Sequence, residues 1–467
     1  MIALRITGRI RNDGDSFRIE SRATGIAFFT TFIAGILSVR RTRSVGSAAI
    51  LLWISSAVGQ GADPDRYPTF SQIVLEADCA VVAARVRGAG PRVSQVVRIL
   101  RGNQHAIVGQ QIRIDEFPLR DTVVRESESD GRDDGIRYLL VGKRDRDGLE
   151  WSMWHAVSNT IVEYIEKLPG LDMPRLERLK HFAPFVGSND LMIDADALVE
   201  LYSADWADLV AISGSLPRAR LRELIERDER RADVGDFIGG IYGPLLAACG
   251  RSEDAEFLKA RTFGDPGSPG SADFGLTLGY LLLSGEEGLA LIEEAKVKPR
   301  YVDVVLPDGT IRRQNAVPFR DSYPAMRVIR CLRDHGNGKI TEERLRRSMR
   351  LFLEHPQLTA AAIHTLSSWK DWSIQERLIA LHIDESAPMD VKKAVIAYFV
   401  KCIADAPPGA GALPEHVVRA RTHLETLRKR DPEGVATAEA GYAETKRLAA
   451  LRKDAPRTKR LVSLFLR

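Results

Sequence analysis

Hydrophobic positions along this chain change spacing three times. Two nearly unbroken apolar runs come first, Gly25–Val39 and Val45–Gly59. From Ser71 to Leu168 apolar residues form short runs or alternate with polar ones, the period of strands. From Pro174 onward they recur every three to four residues, which gives an α-helix one apolar stripe. The chain therefore reads as α+β, mostly α: a small N-terminal β-barrel- or sandwich-like domain followed by an α-helical, HEAT-like solenoid.

In the first of these regions Ala77–Val86 (ADCAVVAARV) is a nearly continuous apolar run, as in a buried strand. Val93–Leu100 is rich in β-branched residues and leads into Arg101-Gly102, a turn signal. Ile112 and Ile114 alternate with Arg113 and Asp115, and Tyr138–Val141 is apolar. Leu149, Trp151 and Met153 alternate after Asp147-Gly148, a hairpin turn pair. About five short strands between Gly- and charge-rich loops suit a small barrel or sandwich. Asn159–Leu168 closes the domain and Pro169-Gly170 marks its boundary. The loop Arg120–Gly135 is polar and acidic. It lacks the bidentate Glu of an EF-hand and reads as solvated.

In the second region Val391, Ala394, Val395, Tyr398, Phe399, Cys402 and Ile403 share a helical face. Leu345, Met349, Phe352 and Leu353 share another, and Leu176, Leu179, Phe182 and Ala183 a third. The spacing predicts helices over 174–186, 191–203, 217–228, 233–248, 252–263, 273–284, 286–297, 322–335, 341–354, 357–369, 374–383 and 390–404. These lengths suit stacked helix pairs of HEAT type, about 40 residues per pair. No strict consensus repeats, so an irregular helical bundle is the alternative. Ser373-Ile374-Gln375-Glu376 reads as a capping box. One insertion breaks the rhythm: Tyr301–Leu306, the turn residues Pro307–Thr310 and Ile311–Asn315 read as a hairpin, either a binding loop or a tolerated surface insertion.

The N-terminus reads as an address. A single helix over 25–59 would hold Arg40, Arg41 and Arg43 inside a membrane, at about 2.5–3.5 kcal/mol each. The second apolar run instead fits a secretory signal. Arg40–Arg43 is the positive region, 45–56 the apolar region and Ala57-Val58-Gly59 the cleavage site. Residues 1–38 then look superfluous, with a true start expected near Leu37 or Val39. Arg43 argues against the twin-arginine route. The expected organisation is an export signal region over 1–62, a β-rich domain over 63–170, HEAT-like repeats over 174–405, and a linker with a basic helical tail over 406–467. The expected location is periplasmic or the cell envelope, the alternative being an inner-membrane anchor through an uncleaved N-terminus.

Charge sharpens this picture. The chain carries 67 Lys+Arg and 63 Asp+Glu, a net +4. The ends hold the surplus: residues 1–62 have eight Arg against three acids, and 446–467 have eight Lys/Arg against one Asp. The stretch between them is acidic, which argues against nucleic acid as a partner. The tail, with Leu461, Val462, Leu464, Phe465 and Leu466, and the run 25–59 are the two candidate membrane attachments. Ordinary composition, 44% hydrophobic and 28% charged, excludes a disordered or collagen-like chain.

Recognisable chemistry is sparse. Cys79, Cys249, Cys331 and Cys402 are far apart, without a CxxC pair, and the last three lie in apolar helical surroundings. No HExxH, GxSxG, GxxxxGK[ST] or GxGxxG occurs. His355 precedes Pro356 and is placed to satisfy carbonyls at a helix end, while His364 and His382 are expected on helix flanks. Gly235–Gly243 (GDFIGGIYG) suits close helix packing better than phosphate binding. Trp369 and Trp372 suit a helix junction, with Asp371 ending the first helix, rather than an aromatic clamp. Asp194, Asp196 and Glu200 form an acidic edge, read as a solvated face over a catalytic pair. No catalytic, cofactor-binding or metal-ligating residue is nominated, and no cofactor is expected.

Several of these segments together resemble uncharacterised exported bacterial proteins with a small N-terminal β domain followed by HEAT-like helical repeats. They are Ala77–Val86, the ILRG of Ile99–Gly102, RYLLVGKRD from Arg137, LEWSMWHAV from Leu149, GYLLLSGEEGLALIEEA from Gly279 and SSWKDWSIQERLIAL from Ser367. The resemblance covers roughly 63–405 and implies architecture and export, without site residues. The β domain is similar in strand order and size to OB-like or TIMP-like modules, but the N-terminal cysteine pattern of true TIMPs is missing. The expected function is a non-enzymatic exported scaffold that binds a protein or peptide. The alternatives are a hydrolase-like enzyme with an unrecognised site and a ligand-binding or inhibitor β module.

Overall fold

The apolar run at Ala77 becomes the central strand of a five-stranded antiparallel sheet. In the computed structural model, residues 69–86, 93–114, 137–145, 148–202, 204–229, 239–264, 274–305, 308–406 and 413–451 are described. Strand β1 (Cys79–Arg85) pairs with β2 (Val93–Arg101) and, on its other side, with β4 (Arg137–Asp145). Strands β3 (Gln111–Arg113) and β5 (Gly148–Val157) complete the order β3-β2-β1-β4-β5. Register shifts at Ala80/Val81 and Val82/Ala83 against β2, and at Leu139/Leu140 against β5, bend the strands and add twist. The sheet curls until it is nearly closed into a barrel. Gly102 holds the turn after β2 at φ +72, where a Cβ would stand 2.2 Å from Asp78 O. Only glycine fits there.

Both faces of β1 are buried, which explains its unbroken hydrophobicity. Inside the curl, Cys79, Val81 and Ala83 pack with Val96, Ala106, Ile112, Ile114, Tyr138 and Leu140. On the outer face, Ala80, Val82, Leu139 and Val141 meet helices. These are α1 (Phe70–Glu76), α2 (Asn159–Glu166), α3 (Arg175–Phe182) and α4 (Leu191–Tyr202). Helix α1 is absent from the expected elements. It starts at Thr69, whose hydroxyl accepts from Gln72 N while the Gln72 side chain accepts from Thr69 N, a reciprocal cap. Phe182, Ile193 and Ala197 join the core under the sheet, whereas Leu179, Ala183, Leu198, Leu201 and Tyr202 join the larger helical core. Helices α3 and α4 thus belong to both.

The helical body continues with α5 (Trp206–Ala211), α6 (Arg218–Glu229), α7 (Gly239–Cys249), α8 (Ser252–Thr262) and α9 (Phe274–Ile292), which runs into one π-helical turn, Glu293–Val297. Hairpin strands β6 (Tyr301–Val305) and β7 (Ile311–Asn315) follow. Next come α10 (Phe319–His335), α11 (Glu342–Leu351), α12 (Thr359–Ser368), α13 (Gln375–Ile383) and α14 (Met389–Ala404). Packing follows chain order: α6 on α7, α7 and α8 on α9, α9 on α10, α10 on α11, α11 on α12, α12 and α13 on α14. Gly285 (φ +64) breaks α9 where the spacing predicts a gap between two helices. At Gly243 and Gly279 the backbones of α7 and α9 touch. A Cβ on Gly243 would lie 2.1 Å from Gly275 O, and one on Gly279 2.5 Å from Gly243 O.

Two further helices follow 412. Helices α15 (Glu415–Arg430) and α16 (Pro432–Leu451) both pack on α14. Val417, Ala420, Leu424, Leu427 and Val435 are buried. Their apolar stripe was obscured by the Arg- and Glu-rich opposite face. Among the described residues no helix is long and apolar enough to cross a membrane. Residues 1–62, where an export signal is expected, the loop Arg120–Gly135 and the tail from 452 lie outside the described residues.

Candidate functional site

The acidic edge of α4 is not solvated. Asp194 and Asp196 are buried and the Glu200 side chain is nearly so. Asp196 and Glu200 stand one turn apart on the side of α4 that meets α1, α2 and α3. Asp196 accepts from Phe70 N (2.7 Å) and from the Tyr164 hydroxyl (2.7 Å). Glu200 accepts from the Thr69 hydroxyl (2.9 Å) and from Arg178 Nη2 (2.8 Å). Arg178 Nη1 donates to Pro169 O and Gly170 O, pinning the chain between the sheet region and the helices. One guanidinium therefore pairs with Glu200, while the donors to Asp196 are neutral. Burial raises Asp196 to about 7, against the opposing pull of Tyr164 and Phe70 N. Asp194 accepts from Gly187 N and from the Tyr242 hydroxyl, and burial raises it too. The expected solvated face fails because unpaired main-chain donors at Phe70 and Gly187 need acceptors once buried.

Three more buried acids clamp helices. Asp254, at the start of α8, accepts from Arg218 Nε (2.7 Å), Arg222 Nη1 (2.8 Å) and Arg251 N (2.8 Å). Burial works to raise it, but these bonds outweigh burial and hold it below the usual carboxylate range. The guanidiniums of Arg222 on α6 and Arg261 on α8 lie 4.1 and 3.6 Å from the ring centroid of Phe257 on α8, cation–π contacts. Glu293, in the π turn, accepts from Arg344 Nη2 (2.7 Å) and Ser348 Oγ, and is likewise held low against burial. Asp371 accepts from Arg350 Nε (2.6 Å). Each acid ties one segment to another. Among the described residues no group of three His, Cys, Asp or Glu is arranged to hold a metal ion.

The remaining candidates separate. Trp369 is buried under the Arg333 guanidinium, while Trp372 packs edge-on against Tyr398 at 5.1 Å. Helix α12 ends at Ser368, Lys370 turns the chain away at φ +57, and Asp371 instead caps the turn that follows, accepting from Ser373 N and Ser373 Oγ. That claim on Ser373 removes the expected capping box: the N-cap of α13 is Ile374, without a side-chain cap. His355 Nδ1 accepts from Gln357 N, so the ring does not serve the carbonyls. His364 is exposed. His382 is not on a flank: it is buried, and neither ring nitrogen has a hydrogen-bond partner. All four cysteines are free thiols, Cys249 half-buried and the others buried. Gly243 serves helix contact, and 235–238 lie outside the described residues.

What stands out on the surface is the hairpin. All five residues of β6 are exposed, with Val305 at 69% and Ile311, its partner across the hairpin, at 70%. Its root is fixed by Ala316 N to Arg300 O (2.6 Å), by Arg300 N and Val317 N to Asn315 Oδ1, and by the Tyr301 hydroxyl to Glu354 O (3.3 Å). Among the described residues this sheet has two strands, so the outer edges of β6 and β7 have no strand neighbour. The Asp308 carboxylate holds the turn through Thr310 N and Thr310 Oγ1. The ribbon is thus held at its root, exposes Val302, Val304, Val305 and Ile311, and has two edges whose main-chain groups are open to strand pairing.

Comparison with family models, curated proteins and solved structures finds no match.

Proposed function

We propose that this chain is an exported, non-enzymatic scaffold that binds an extended segment of a protein partner along the hairpin β6–β7. The carrying observation is that hairpin: a rooted ribbon with apolar β-branched residues exposed and both edges without a strand neighbour among the described residues. Strand addition would satisfy the edge groups and cover Val304, Val305 and Ile311. Packing of helices in chain order supports a HEAT-like stack as the support, since such stacks join each unit to its neighbours. The signal-like Arg40–Gly59 and the resemblance to exported bacterial proteins support an envelope location.

The test replaces 302–314 by a short Gly-Ser turn, leaving Tyr301 and Asn315 at the root. Wild-type protein crosslinked in the envelope fraction is expected to capture one partner with crosslinks mapping to the hairpin, and the shortened protein to lose it while keeping its melting temperature. Equal capture by the shortened protein, or crosslinks placed elsewhere, would overturn the reading.

A further inference from the structure

A second surface lies at one end of the curled sheet. Gln104, His105, Gln110, Arg144, Gly148, Leu149 and Trp151 line a depression of about 570 Å³, within the range of small-molecule sites. Its floor is fixed by the fold. Across β4 and β5, Arg144 opposes Leu149 and Gly142 opposes Trp151, and the Trp151 ring lies 3.3 Å from where a Cβ on Gly142 would stand. The other wall is the loop after Gly102. It is held by His105 N to Gly102 O, Gly109 N to Val96 O and Val96 N to Gln110 O, all at 2.8 Å.

Arg144, His105 and Gln110 each bring a donor to this wall. Arg144 Nη2 contacts His105 Nε2 at 3.0 Å. A guanidinium cannot accept, so Nε2 accepts and the proton of the neutral ring sits on Nδ1. The oxygen of Gln110's amide accepts from Ile107 N (3.0 Å), and its NH₂ group adds a donor. Asp78 Oδ2 accepts from the Arg144 main-chain N–H (2.7 Å) and not from its guanidinium. Among the described residues no Asp or Glu lines the depression. Beside these donors stand the faces of Trp151 and Leu149.

We propose that this depression binds an oxyanion, a carboxylate or phosphate monoester, carried on a flat or apolar body, with Arg144 as the charge partner and Trp151 as the platform. The site is independent of the hairpin. Titration calorimetry on the full chain, using phenyl phosphate, benzoate, the neutral benzamide and inorganic phosphate, tests it. Saturable one-to-one binding of phenyl phosphate or benzoate is expected, the tighter naming the oxyanion. Benzamide and Arg144→Gln should each lose about tenfold or more, the scale of one charge-assisted hydrogen bond. Inorganic phosphate should bind more weakly than phenyl phosphate. His105→Gln should weaken binding without unfolding the protein. The proposal is overturned if neither aromatic anion saturates at about 10 mM, which bounds the affinity at a weak millimolar level, or if folded Arg144→Gln binds like wild type.

Discussion

Replacing Asp196 by Asn isolates the energetics of a buried carboxylate whose donors are neutral. Its pKa in the fold, about 7, compares with roughly 3.9 in an unfolded chain, a difference of about 4 kcal/mol. The raised value sets the sign. The folded state holds the proton more tightly, so this group's contribution is fully present below pH about 4 and is lost as pH rises through about 7. Asn at this position keeps an acceptor for Phe70 N and offers an N–H to the Tyr164 oxygen, yet carries no charge. The unfolding free energy of D196N minus that of wild type should therefore grow with pH between about 4 and 8, by up to about 4 kcal/mol. Urea unfolding followed by far-UV circular dichroism at steps across that range measures it, and the subtraction cancels the other titrating groups. A difference that stays flat or shrinks with rising pH would show that the carboxylate is not desolvated, and the account of this cluster would fail.

Two further perturbations probe other contacts. Gly279→Ala should cost about 2–3 kcal/mol or more by urea midpoint, because the new methyl meets Gly243 O at 2.5 Å and that neighbour is backbone. His382→Leu should raise stability by about 1–2 kcal/mol by removing buried polar atoms without partners. Burial lowers the His382 pKa despite the opposing pull of Asp431, so wild-type stability is present above the unfolded value near 6.5 and is lost as pH falls. The advantage of H382L should accordingly be larger at pH 5 than at pH 8, a trend that thermal melts at the two pH values would read directly.

Much of the architecture was legible because it is periodic. β1, β2, β4 and β5 follow from alternation and β-branched runs, and the hairpin from Pro307–Gly309 between two extended runs. Gly285 was readable as a break because nothing but glycine sits easily at its φ. What escaped depends on distant partners. Helix α1 is seven residues long and has a weak local signal. It stands because Phe70 packs under the sheet and its N–H finds Asp196. Asp371 looked like a helix stop, but its carboxylate faces Arg350 from another helix and captures Ser373, which spoils the local capping pattern. Asp194, Asp196 and Glu200 looked like surface because carboxylates usually are. Only the fold brings Gly187, Tyr164, Thr69 and Arg178 to them. Of the candidate surfaces, the hairpin was visible in sequence as turn chemistry between strands. The depression was not, since His105, Arg144 and Trp151 are assembled by strand register and a single loop.

Helices α3 and α4 press one side against the sheet and the other into the helical pile. Severing the chain at Pro169 would strip both fragments of a shared seam and leave Phe182, Ile193 and Ala197 facing water. Fragments cut there would be sticky rather than autonomous, and heating the intact protein should melt both ends together. A pull applied to the sheet would be handed to the helical body through these two short rods.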